Sequence, residues 1–221
     1  MNRKNINVRG VLFDLDGTIV DSKQAYFEAA RVAFNTLGLK PPEMQKALEI
    51  PRRLERGMPL SDLINSDVDK FLDVYLKTYY SVTKFRSKPI PGIQDTLRLL
   101  STKAKLALIT MRFVQKTSVV NELQQFGIAR YFAYVVTALD TLKPKPSPEA
   151  LIKTVEALDV NLCDCVFVGD SVTDIQAGKA AGTFTVAVLS GLFSGDELAG
   201  EKPDLILKDA TQLPVSLSFG S

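Results

Sequence analysis

Two carboxylates, Asp14 and Asp16, stand two residues apart in Asp14-Leu15-Asp16-Gly17-Thr18-Ile19-Val20-Asp21, directly after the apolar run Val11-Leu12-Phe13. A second acidic pair, Asp170 and Asp174, follows Val166-Phe167-Val168 in Gly169-Asp170-Ser171-Val172-Thr173-Asp174. Read singly, each pair suits an ordinary strand-to-turn transition, with Gly17 supplying one turn and Ser171 or Asp174 capping a following helix. Read together, as ends of two parallel strands, the four acids meet at one sheet edge and repel unless a cation neutralises them. Hard oxygen donors without His or Cys suit Mg²⁺, which takes one or two carboxylates and keeps waters or phosphate oxygens. Thr110, after Leu106-Ala107-Leu108-Ile109, and Lys143, in Leu142-Lys143-Pro144-Lys145-Pro146-Ser147-Pro148, offer a hydroxyl and an ammonium. Those groups are what a bound phosphoryl group needs to hold and neutralise its oxygens. Alone, Thr110 would equally satisfy local backbone and Lys143 would be a solvated loop lysine.

The composition narrows the chemistry further. The 221 residues include no histidine, which removes Ser-His and Cys-His nucleophile pairs and any imidazole base. Two cysteines, Cys163 and Cys165, are too few for a zinc site, and a disulfide between these two positions is not expected. The charge of +2, from 27 basic and 25 acidic residues, is too weak a field to argue for nucleic acid or a membrane surface as partner. No apolar run reaches the roughly 20 residues of a transmembrane helix, and the first residues do not read as a secretory signal, so the expected location is cytoplasmic.

The elements that would position these residues follow from hydrophobic patterning. Uninterrupted runs at 11–13, 106–109, 134–136, 166–168 and 185–189 suit strands buried on both faces. Helical periodicity separates most of them, at 93–100, 113–126, 148–158 and 174–181. Strand and helix in alternation imply right-handed crossovers, hence a doubly wound α/β core with a mostly parallel sheet. Ligands in such sheets bind at the carboxyl ends of strands, where the acids lie. Between Ser22 and Arg86 no convincing strand occurs, whereas 25–30, 32–37, 60–64 and 68–80 look helical. The expected organisation is a core of residues 1–21 and 87–221 with an α-helical insertion at 22–86, re-entered at Lys88-Pro89-Ile90-Pro91-Gly92.

In order and position, these motifs resemble the haloacid dehalogenase superfamily, in its phosphoglycolate phosphatase and pyrophosphatase-like branch with an α-helical cap. The resemblance spans Val11 to about Leu207. It rests most specifically on Asp14-Leu15-Asp16-Gly17-Thr18 and Gly169-Asp170-Ser171-Val172-Thr173-Asp174. It implies Asp14 as nucleophile, forming an aspartyl-phosphate, and Asp16 as general acid and base. It further implies Mg²⁺ held by the Asp14 carboxylate, the Asp16 backbone carbonyl and the Asp170 carboxylate, with Asp174 supporting the metal directly through water or from behind. Thr110, the backbone N–H of Met111 and Lys143 would bind the phosphoryl group.

The chain departs from the family pattern in two places. Met111-Arg112 follows Thr110 where many relatives have Asn, and Leu142 precedes the lysine where Gly is frequent, with Lys145 a lesser candidate for the lysine role. The helical insertion implies a substrate-reading cap, and Arg52, Arg53, Arg56 and Arg112 are candidates to meet an anionic phosphate ester. The expected substrate is a small phosphorylated metabolite, acted on by a monomer or homodimer. Alternatives are a phosphomutase resembling β-phosphoglucomutase and a non-catalytic module that binds through a phosphorylated aspartate.

Overall fold

The computed structural model describes residues 7–218. The chain divides into two compact units, Met1–Val20 with Pro89–Ser221, and Asp21–Lys88. The first unit is built on six strands: β1 (Gly10–Phe13), β4 (Lys105–Ile109), β5 (Phe132–Val136), β6 (Cys165–Gly169), β7 (Phe184–Val188) and β8 (Leu205–Leu207). Their order across the sheet is β5-β4-β1-β6-β7-β8, and every neighbouring pair is parallel. Two further short strands, β2 (Val20–Asp21) and β3 (Lys88–Pro89), pair as a separate ribbon.

Alternation along the central strands sends apolar side chains to both faces. Val11 and Phe13 of β1 pack with Ile93, Leu97 and Leu100 of α4 (Ile93–Ser101) and with Val119 and Leu123 of α5 (Lys116–Gln125). Leu12 of the same strand faces the other way, with Ala150, Leu151 and Val155 of α6 (Glu149–Leu158) and Ala177 of α7 (Val172–Ala181). The doubly wound architecture is thus the direct result of strands apolar on both sides. Helices α8 (Gly195–Gly200) and α9 (Leu213–Ser216) complete this unit. Cys163 is exposed and Cys165 buried, both as free thiols, and burial pushes the Cys165 thiol well up from its ordinary range.

The register puts the acids together. Phe13 lies opposite Val168, and the Asp14 N–H donates to the Val168 carbonyl at 2.9 Å. Asp14 and Asp170 therefore leave the sheet at adjacent strand ends. On the other side Ile109 pairs with Val136, and the Thr110 N–H donates to the Val136 carbonyl at 2.9 Å. Three strands thus deliver their first polar residues to one edge.

The second unit is helical: α1 (Lys23–Thr36), α2 (Met44–Glu55) and α3 (Val68–Arg86). Ala25, Ala29, Ala30 and Ala33 bring α1 close to α3, where Phe71, Tyr75 and Tyr79 fill the interior. Phe34 meets Phe71 edge to face with ring centroids 5.3 Å apart, and Tyr26 stacks on Tyr79 at 4.7 Å. Phe71 is fully buried, so Phe71→Ala should cost about 3–5 kcal/mol, read as a lowered urea midpoint. Two details differ from the sequence expectation. Residues 60–64 form a turn, although Leu60 and Ile64 still reach this core, and α2 occupies a stretch that patterning left unassigned. Pro51 lies inside α2; it lacks the N–H that continues a helix, so local propensity argues against the element that Ala47 and Ile50 bury. Among the described residues, no helix is long and apolar enough to cross a membrane.

Candidate active site

Asp14 begins where β1 ends and is 7% exposed. The Lys145 ammonium donates to Asp14 Oδ1 and to Asp174 Oδ1, each at 2.6 Å, and lies 5.8 Å from the Phe167 ring centroid. Asp174 serves two purposes. Its Oδ1 holds Lys145, while its Oδ2 accepts the Ser171 N–H at 3.1 Å and the Ser171 hydroxyl at 2.7 Å, closing a capping box on α7.

Asp170 is fixed separately: Oδ1 accepts the Thr18 hydroxyl at 3.1 Å and Oδ2 the Leu192 N–H at 3.3 Å. Asp14, Asp170 and Asp174 bring one carboxylate oxygen each within 4.8 Å of one another. Three carboxylates against one ammonium leave a deficit of two positive charges, in a donor set made only of hard oxygen. A divalent cation of the Mg²⁺ type fits both requirements. Burial, the largest influence, pushes the Asp14 carboxyl well above its ordinary value; Lys145 opposes this, and the Asp174 and Asp16 charges reinforce it.

The loop carrying Asp16 depends on backbone approach. Gly17 has φ +88°, and its N–H donates to the Val20 carbonyl at 2.7 Å while its own carbonyl accepts the Ser190 hydroxyl at 2.6 Å. A Cβ on Gly17 would overlap the Asp170 carboxylate, and one on Gly191 would overlap the same group. Gly191→Ala should therefore displace Asp170, and any divalent-cation affinity of this cluster should fall at least about tenfold in a Mg²⁺ titration, as loss of a ligand's supporting contacts does.

Asp16 is not one of the three clustered carboxylates and is held by a different partner. Its Oδ1 and Oδ2 accept the Arg112 fork at 2.6 and 2.7 Å, and a third guanidinium nitrogen donates to Glu122 at 2.7 Å. Thr110 is buried, with its hydroxyl accepting the Arg112 N–H at 3.2 Å, and Met111 is half-buried between them. Arg52 and Arg53 make ion pairs inside the helical unit, with Glu49 and Asp62.

One expectation is corrected. Lys143 was the preferred lysine, yet it is exposed, its backbone N–H donating to Glu149 at 3.0 Å, and Lys145 occupies the buried place beside Asp14. The signal was present in the sequence. Lys-Pro-x-Pro occurs in two overlapping frames, and the second, Lys145-Pro146-Ser147-Pro148, is the one that abuts α6, whose N-cap is Pro148. Thr18, Glu122 and Gly191 were not anticipated, because each acts through a partner ten or more positions away or through the room it leaves.

Residues 11–188 match the sequence model of the family described as haloacid dehalogenase-like hydrolase. A phosphoglycolate phosphatase of Pseudomonas fluorescens (strain Pf0-1) is 32% identical over 216 residues, covering 93% of this chain and 78% of that protein. One of Neisseria meningitidis is 32% identical over 222 residues, covering 94% and 92%. Among solved structures, a haloacid dehalogenase-like family hydrolase of Streptococcus pneumoniae shares the fold at TM-score 0.80 with 19% identity, covering 95% of this chain and 98% of that one. An acid at the end of β1 and one in the helix that follows the neighbouring parallel strand share one buried lysine, and the family match runs through both, so the chain belongs to the haloacid dehalogenase-like hydrolases.

Proposed function

We propose that the protein is a Mg²⁺-dependent phosphatase of small phosphate monoesters resembling phosphoglycolate, working through an aspartyl-phosphate on Asp14. The observation that carries this reading is the Lys145 ammonium held at 2.6 Å from both Asp14 and Asp174, with Asp170 completing the acidic cluster. Curated relatives near 32% identity carry the name phosphoglycolate phosphatase, which supports the substrate class.

In this mechanism an Asp14 carboxylate oxygen attacks phosphorus as the bond to the leaving oxygen breaks, and Asp16 gives that oxygen a proton. Water, deprotonated by Asp16, then releases phosphate and restores Asp14. Dividing one displacement into two is the gain of covalent catalysis. Lys145 neutralises Asp14 and the incoming phosphoryl oxygens, with Thr110 and the Met111 N–H binding the same group. The Asp14 and Asp170 carboxylates and the Asp16 carbonyl would hold Mg²⁺, which supplies further charge neutralisation on the transferring group.

The test is phosphate release from phosphoglycolate, pyrophosphate, nucleotides and sugar phosphates with Mg²⁺ or EDTA. Mg²⁺-dependent release, fastest on a small anionic monoester, is the expected result. Mg²⁺ should also stabilise the fold by about 2.7 kcal/mol at 100 times its dissociation constant, a shift in melting temperature that Asp170→Asn abolishes. A phosphomutase is the second reading, since a Thermotoga maritima protein assigned as a β-phosphoglucomutase matches at TM-score 0.69 with 25% identity, covering 93% of this chain and 96% of that one. Isomerisation of glucose 1-phosphate without phosphate release would select it.

A further inference from the structure

Arg112 is built into the first unit at both its ends. Its backbone N–H donates to the Thr110 hydroxyl and its carbonyl accepts the Ala138 N–H, each at 3.2 Å. Its guanidinium spans two carboxylates that come from different elements: Asp16 beyond β1, through a two-pronged contact at 2.6 and 2.7 Å, and Glu122 of α5 at 2.7 Å. The Arg112, Asp16 and Glu122 side chains are 5, 12 and 6% exposed. Removing three charges from water is costly, and apolar residues of similar volume often fill such a place with no loss of stability, so packing alone is a poor reason for the arrangement. What the planar fork adds is direction, because two parallel N–H···O contacts fix the plane of the carboxylate as well as its distance.

We infer that Arg112 is a positioning residue, which Glu122 holds in place so that the Asp16 carboxylate is kept in one orientation: the fork occupies one lone pair on each oxygen, and a proton carried on a lone pair it leaves open passes to the leaving oxygen. The inference rests on the phosphatase reading and deepens it. A misdirected Asp16 should matter in proportion to the need for protonation. Alkoxide leaving groups depend on it strongly, whereas 4-nitrophenolate departs without help. Structural damage or weakened phosphate binding would slow both substrates alike.

The experiment compares kcat/KM for phosphoglycolate and 4-nitrophenyl phosphate, which reports the step that breaks the ester bond, in wild type, Arg112→Lys, Glu122→Gln and the double variant Arg112→Leu/Glu122→Leu. Arg112→Lys should lose about 10²-fold on phosphoglycolate and less than about threefold on 4-nitrophenyl phosphate, the size expected when proton transfer is compromised. Glu122→Gln should shift in the same direction by less. The double variant removes the buried charges together and tests the same selectivity if a single substitution fails to fold. Equal losses on both esters, or no loss, would overturn the inference. Crystal structures supply an arm independent of turnover: Asp16 should occupy one rotamer in wild type and several in Arg112→Lys, and a single unchanged rotamer in both would overturn the inference even where the phosphatase reading had failed on its own substrates.

Discussion

Asp14→Asn should abolish phosphate release, by about 10⁴-fold or more, if Asp14 is the nucleophile proposed above, since removing the nucleophile of a covalent catalyst commonly costs that much or greater. The fold should survive the change. Burial raises the Asp14 carboxyl above its ordinary value, so the folded state takes up its proton more readily than the unfolded state. The stability this group contributes is complete below its unfolded value and is lost as pH rises through the raised folded value. At neutral pH, without metal, burying the Asp14 carboxyl therefore costs the wild type free energy that asparagine avoids. Melting curves in EDTA should place Asp14→Asn at or above wild type at pH 7, with the difference closing near pH 4. A variant that melts far below wild type at pH 7 would show that Asp14 is chiefly a partner for Lys145.

Lys145→Ala and Lys143→Ala should separate widely. Lys145 is 4% exposed and its ammonium stands between two carboxylates, so truncation leaves those charges uncompensated. Breaking a buried pair costs about 3–5 kcal/mol, and on the proposed mechanism the lost neutralisation of the phosphoryl group should lower kcat by about 10²-fold or more. Lys143 is exposed, and its alanine variant should stay within about 0.5 kcal/mol of wild type with activity nearly unchanged. Urea midpoints with steady-state rates decide the matter, and the opposite ranking would return the phosphate-binding role to Lys143.

The sheet and its acidic edge were legible because long-range geometry had a local signature there. A strand buried on both faces must be a continuous apolar run, and the residue that ends it must be polar if the edge meets solvent or ligand. Val11-Leu12-Phe13-Asp14 and Val166-Phe167-Val168-Gly169-Asp170 both obey this. The helical unit was legible through the apolar spacing of 68–80, but α2 was not, because Pro51 hides a buried face that only tertiary packing justifies. β8 contributes three residues, too few for periodicity. The pairing of Arg112 with Asp16 joins positions 96 apart in sequence, and neither residue type predicts it. The lysine was misassigned between two frames of one motif, which the distance to α6 could have resolved.

The crowding of Asp170 has a consequence for synthesis. Its carboxylate is enclosed by Gly17 from the start of the chain and by the backbone at Gly191, 174 positions later, with the Leu192 N–H completing its contacts. A nascent chain on the ribosome that has released β1 and β6 can pair those strands, yet the pocket around Asp170 has no wall on one side until residues 190–192 emerge and dock. On the metal-dependent reading proposed above, metal affinity should thus appear late in translation and abruptly, and a chain stopped before Gly191 would carry every acid of the cluster without the wall that encloses Asp170.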